Sequence, residues 1–149
     1  MEITLTVSKA SVYDEVAKTT SYTGAKMVGD EGAYNRIFTT DEDQEMLERF
    51  WDESRAEVAH ALVRLVSSEE MGGDIYTVTL HVSDVFNTAL IPSMELGLFS
   101  YFVNSIAGKW YVYTNKAEAG DYIDRGSALL EEVKEKAMHK KRPTRPTYV

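Results

Sequence analysis

Hydrophobic and polar positions change period several times along this chain, and each change marks an element. Ile3, Leu5 and Val7 alternate with Glu2, Thr4 and Thr6, the two-residue period of a half-buried strand near residues 2–7. From Ser8 the period lengthens: Val12, Tyr13, Val16 and Ala17 recur at helical spacing to about Thr20. The pattern then fails through residues 20–35, where Gly24, Gly29 and Gly32 mark loops. Thr40 followed by Asp41, Glu42 and Asp43 makes an amino-terminal cap with acids in the first turn, where the helix dipole favours negative charge. A long helix is predicted to follow. Its stripe is Leu47, Phe50, Trp51, Ser54, Val58, Ala61, Leu62, Leu65 and Val66, and it ends near Ser67, before Gly72 and Gly73. Period two returns over residues 74–82, with Tyr76, Val78, Leu80 and Val82 on one face and Ile75, Thr77, Thr79 and His81 on the other.

Pro92 suits the first turn of another helix, because its missing amide donor would be unpaired there anyway. Leu98, Phe99, Phe102, Val103, Ile106, Trp110 and Tyr113 form the apolar face of that helix, and Leu96, Tyr101 and Tyr111 widen it. So much apolar circumference predicts the central helix of a bundle. Pro92, Glu95, Asn104 and Lys109 interrupt the run too often for a membrane span, which needs about 20 nearly uninterrupted apolar residues. A last amphipathic helix is predicted from Lys116 to Met138, with Tyr122, Gly126, Leu129, Leu130, Val133 and Ala137 inward. Prolines then stop it.

The sum is an α+β fold: a mainly helical bundle of about four helices with two short β-strands, near 2–7 and 74–82. One domain spans residues 1–138, and an extended basic arm spans residues 139–149. Two strands leave open edges of unpaired backbone donors and acceptors. Ile3, Leu5, Val7, Tyr76, Val78 and Leu80 are therefore candidate strand-edge interface residues. Their strands are expected either to lie on the helices or to take a strand from a neighbouring subunit.

Charge divides the chain at the arm. Lys140, Lys141, Arg142 and Arg145 are four of its sixteen basic residues, so the rest sets twelve against twenty-four acids, a charge near −12. Such a body repels nucleic acid and anionic membrane, so no tight nucleic-acid binding by it and no membrane partner are expected. The arm is different. Pro143 and Pro146 stiffen it into an extended form, Tyr148 supplies an anchor, and the arginines supply forked donors for a partner's acids. Its partner-binding residues are taken as Lys140, Lys141, Arg142, Pro143, Arg145, Pro146 and Tyr148. A loose, solubilising terminus is the plainer reading of the same residues. The absence of cysteine rules out disulfides, thiolate metal sites and a cysteine nucleophile. The start Met-Glu-Ile-Thr-Leu-Thr-Val carries an early acid and lacks the apolar run of a signal peptide.

Candidate chemistry is sparse. Glu57 and His60 have the Glu-x-x-His spacing of ferritin-like metal sites, but such a site needs a second copy and two further glutamates. Both flank the polar side of their helix, so a solvated face is expected and no metal or cofactor is assigned. His60, His81 and His139 fall on a helix, a strand and the tail, with no spacing that suggests a triad. Residues 24–32 lack the Gly-Lys-Ser/Thr of a phosphate loop. The run Phe99, Tyr101, Phe102, Trp110, Tyr111 and Tyr113 has the period of a core or subunit interface rather than of a base-stacking platform. No catalytic residue is assigned, and a non-enzymatic protein is expected.

Three stretches carry a resemblance: the Ser21-Tyr-Thr-Gly-Ala-Lys26 loop before an acidic long helix, the late Lys116-Ala-Glu-Ala-Gly-Asp-Tyr122 helix start, and the His139-Lys-Lys-Arg-Pro-Thr-Arg-Pro ending. Together they resemble small structural proteins of tailed bacteriophages, the head-tail connector and completion proteins that form rings under the portal. The resemblance covers the overall plan rather than a diagnostic motif. It implies a virion protein whose copies form an oligomeric ring, often twelvefold, and whose arm reaches a neighbour, the portal or a tail protein. The β content departs from the many connectors that are almost wholly helical, which leaves a tail-terminator or other virion role open. A different class fits the same acidic body: a small binding or regulatory module that captures a basic protein partner.

Overall fold

The computed structural model describes residues 1–26 and 43–140. Within them the order is β1 (Glu2–Ser8), α1 (Lys9–Lys26), α2 (Gln44–Ala61), β2 (Val66–Gly72), β3 (Ile75–His81), a 3-10 turn at Thr88–Leu90, α3 (Ile91–Thr114) and α4 (Lys116–Ala137). The fold is α+β, with a three-stranded antiparallel sheet in the order β1-β3-β2. The two strands expected from the sequence are partners: Ile3 lies opposite Leu80, Leu5 opposite Val78 and Val7 opposite Tyr76. β2 is a correction to the expected pair of strands: α2 stops at Ala61, residues 62–65 form a turn, and Val66–Gly72, whose first two residues were expected to end the helix, form a strand. What makes it a strand is its neighbour. Gly72 pairs with Ile75 across a two-residue turn in which Gly73 has φ 62°, a left-handed conformation that favours glycine, and the hairpin runs back along β3.

α1 also departs from expectation. It continues past Thr20 to Lys26, so the Ser21–Lys26 segment is helical rather than a loop, with Gly24 buried inside it. Thr20 and Thr23 are bonded within the fold. Thr20 Oγ1 donates toward Val16 O and Ala17 O, at 2.9 and 3.1 Å, and the Tyr111 hydroxyl donates to Thr23 Oγ1 at 2.9 Å. The expected cap at Thr40–Glu42 and the glycine-rich residues 29–35 lie outside the described residues, and the residue preceding α2 is Asp43. α3 begins as expected with Pro92 in its first turn, and α4 ends one residue before Met138.

α3 is the central helix. It packs on α4, α1, α2 and β1, and buries Leu98, Tyr101, Phe102, Ile106, Trp110 and Tyr111 among others. The sheet lays one face on the helices, burying Ile3, Leu5, Val7, Tyr76, Val78 and Leu80, and turns Thr4, Thr6, Thr77 and Thr79 the other way. An aromatic cluster joins the two layers. Trp51 stacks on Phe102 with ring centres 4.4 Å apart, and Tyr76 meets both rings edge-on at 6.2 and 5.4 Å. Trp51 Nε1 and the Tyr76 hydroxyl are buried without a hydrogen-bond partner among the described residues. α3 and α4 approach closely at Gly108, where a Cβ would stand 2.8 Å from Ile123 Cγ1 and 3.2 Å from the Ile123 nitrogen.

Candidate functional site

The residues singled out from the sequence fall into three places. Lys140 is exposed and forms an antiparallel β-bridge with Phe86, which is itself 4% exposed. Between the end of α4 and this bridge the chain turns through Met138 and His139, whose amides donate to Glu135 O and Lys136 O at 3.2 and 3.0 Å. The root of the arm is thus tied to the body. Lys141, Arg142, Pro143, Arg145, Pro146 and Tyr148 lie outside the described residues.

The candidate strand-edge residues prove to be core. Ile3, Leu5 and Val7 are at most 5% exposed and Tyr76, Val78 and Leu80 are at 0%, and β3, as the middle strand, has both backbone edges paired. The outer edges belong to β1 and β2. Part of the β1 edge is already engaged: the Thr6 amide and hydroxyl both donate to Glu95 Oε2, at 3.0 and 2.9 Å. β2 carries Glu69 and Glu70, and Glu69 pairs with Arg55 at 2.8 Å. Like charges opposite one another would oppose pairing of two copies of this edge.

The third place gives Glu57, which stays on an exposed face of its helix as expected, partners on another helix. Tyr101, Ser105 and Lys109 stand at successive four-residue steps on α3, so they share one face of that helix. Glu57, on α2, accepts the Tyr101 hydroxyl at 2.5 Å and the Lys109 ammonium at 2.7 Å. Lys109 also donates to Ser105 Oγ at 3.3 Å, and Ser105 lies 2.8 Å from Ser54 Oγ, which donates to Phe50 O at 2.8 Å. The proton directions follow. An ammonium only donates and a carbonyl only accepts, so Ser54 spends its single proton on Phe50 and Ser105 must donate to Ser54.

This chain of groups joins α2 to α3 beside a cleft of about 250 Å³ that Ile123, Gly126 and Ser127 of α4 also line. Burial foremost, then the Glu57 carboxylate, pushes the Tyr101 phenol well above its ordinary range, so it stays a neutral donor. The carboxylate, ammonium, phenol and two hydroxyls are bonded to one another across two helices, an arrangement suited to fastening them. His60 lies elsewhere. It lines a cleft of about 330 Å³ between residues 60–65 and α4, at Glu131, Lys134 and Met138. No group of three or more histidine, aspartate or glutamate side chains able to hold a metal occurs among the described residues.

No helix among the described residues is long and apolar enough to cross a membrane. Comparison with known proteins finds no match: no protein-family model, no curated protein and no solved structure.

The sequence signal that could have found β2 is Gly72-Gly73-Asp74 before a strand, a hairpin mark. The four-residue spacing of Tyr101, Ser105 and Lys109 was visible too, but it lacked its partner until α2 was placed against α3.

Proposed function

We propose that this chain is a non-enzymatic assembly protein of a bacteriophage virion, a head-tail connector subunit. Its copies form an oligomeric ring, and the basic arm docks on a neighbour, the portal or a tail protein. The observation that supports this reading most is the root of the arm. Because Lys140 is bridged to the buried Phe86, the point to which the later basic residues are attached is fixed on the body, and a fixed attachment lowers the entropy lost on docking compared with a free tail. An acidic body is compatible with a ring through which DNA passes without being gripped. Several copies would dock with an avidity that one arm lacks.

The test is removal of residues 141–149, followed by light scattering over a concentration series. The full chain is expected to grow toward a closed oligomer, whereas the shortened chain should keep its helical circular dichroism but assemble more weakly. Unchanged assembly would overturn the role of the arm. A full chain that stays monomeric and captures a basic protein in a salt-sensitive manner would favour the acidic binding module instead.

A further inference from the structure

The two outer edges of the sheet are protected in different ways. β2 has an irregularity in register between Val66 and Ser68 and carries Glu69 and Glu70, features that spoil the flat edge another strand needs. β1 has neither. It pairs with β3 in unbroken register from Glu2 to Ser8 and holds no proline or lysine. A regular edge of this kind is a ready template for a further strand.

The ladder fixes which residues offer it. At one end the Val82 amide donates to Met1 O at 2.8 Å, and at the other the Lys9 amide donates to Asp74 O at 2.9 Å. Bonded pairs alternate along antiparallel strands, so Ile3, Leu5 and Val7 exchange bonds with β3, and Glu2, Thr4 and Thr6 turn their amides and carbonyls outward. The outward amide of Thr6 is taken: Glu95 Oε2, from α3, accepts it at 3.0 Å and accepts the Thr6 hydroxyl at 2.9 Å. A carboxylate reaching back to an edge strand in this way closes a position that a partner strand would use.

The chemistry of the edge also selects what would fit it. An added strand must donate from every second residue. Pro143 and Pro146 stand three apart, so an arm segment spanning both would set one of them, which lacks an amide proton, at a donating position. A second β1 has no such fault. Turned antiparallel about Thr4, it sets Thr4 against Thr4 and Glu2 against Thr6, so no two acids of the strands face one another.

We infer that the β1 edge fits β1 of a second copy and that Glu95 is the guard that keeps it closed. To pair, the Glu2 carbonyl of the second copy must accept the Thr6 amide proton that Glu95 already holds, and the Glu2 side chain must come up beside the Glu95 carboxylate. The two-fold arrangement meets this obstacle twice. The guard is separate from the docking arm and does not depend on the role proposed for it.

The test compares the full chain with Glu95→Ala, with Glu95→Gln, and with Glu95→Ala combined with Thr4→Pro, each checked for folding by circular dichroism. Because the Thr4 amide faces outward, proline there removes a donor to a second strand but no bond of the ladder. Sedimentation reads the mass, and amide hydrogen exchange over a concentration series reads the edge itself. In the unsubstituted chain Thr6 should exchange slowly and Thr4 fast at every concentration, whatever the arm assembles. Glu95→Ala should self-associate at least about tenfold more tightly, with its Thr4 amide protected as concentration rises. Adding Thr4→Pro should abolish that gain, a reversal that misfolding would not give. Glu95→Gln, whose side-chain oxygen can still accept from Thr6, should keep the edge closed. Fast exchange at Thr6 or concentration-dependent protection of Thr4 in the unsubstituted chain would overturn the guard. So would a Glu95→Ala chain that associates no better, a gain that Thr4→Pro leaves in place, or a Glu95→Gln chain that associates as Glu95→Ala does.

Discussion

At Gly108 two opposing effects can be weighed against each other. A glycine in mid-helix costs about 1 kcal/mol relative to alanine, so propensity alone favours replacement. A methyl there, however, would stand 2.8 Å from Ile123 Cγ1 and 3.2 Å from the backbone nitrogen, and backbone cannot step aside. Gly108→Ala is therefore expected to lower stability by about 1–3 kcal/mol in denaturant titration. Gly126→Ala is the control, since its Cβ would meet nothing nearer than 3.6 Å and should be neutral or mildly stabilising. Tyr76 offers the reverse case. Its ring is in the aromatic cluster but its buried hydroxyl has no partner among the described residues. Tyr76→Phe removes the unsatisfied group and keeps the ring, so it is expected to leave stability unchanged or raise it by about 1 kcal/mol, read from the same titration.

Elements were legible from the sequence where one physical signal dominated. β1 and β3 alternate cleanly because one face packs on helices and the other meets solvent, and α3 shows its central position in the breadth of its apolar surface. β2 was hidden because Val66-Ser-Ser-Glu-Glu-Met-Gly72 has little alternation of its own, and Leu65 and Val66 happen to continue the stripe of the helix before them. Its strand conformation comes from pairing, which no local pattern reports. α1 outran Thr20 because tertiary contacts at Thr23 and a buried Gly24 outweighed the local preference for a break. Glu57 was read correctly as exposed, but its partners Tyr101 and Lys109 come from another helix and could not be read from its own. The β2–β3 hairpin depends on one backbone geometry. Gly73→Ala should cost about 1 kcal/mol through its positive φ, visible as a lower thermal midpoint, although nothing stands within 4 Å of the added methyl.

For the whole molecule, stability should fall at both extremes of pH. Burial foremost raises the phenols of Tyr13, Tyr76 and Tyr101 well above their usual value of 10.0, and pushes Tyr111 up to about 12. A phenol held neutral in the fold ionises more easily once unfolded. Its contribution is full below the unfolded value and is lost as pH rises toward the folded one. Alkaline titration followed by tyrosinate absorbance should show these four of the nine tyrosines ionising late, together with loss of helical signal. Glu48 has the opposite sign. Burial pushes its carboxyl up, but hydrogen bonds from Lys9 and Tyr13, with the Lys9 charge, together hold it below 4.5. The stability it contributes is present above that value and is lost as pH falls through its lowered one, so Glu48→Gln should flatten the acid limb of the stability curve.

The pairing of Ile3 with Leu80 also has a consequence in time. As the chain leaves the ribosome, β1 emerges before every element it packs on, and its main-chain partner appears only after α1, α2 and β2 have been made. Bringing its ends together closes a long loop, which is slow compared with forming the β2–β3 hairpin or the adjacent helices α3 and α4. β1 is thus made before the strand it pairs with and is seated late, and until then its Ile3, Leu5 and Val7 are bare. In that interval β1 is open to mispairing, a hazard that passes once β3 closes over it.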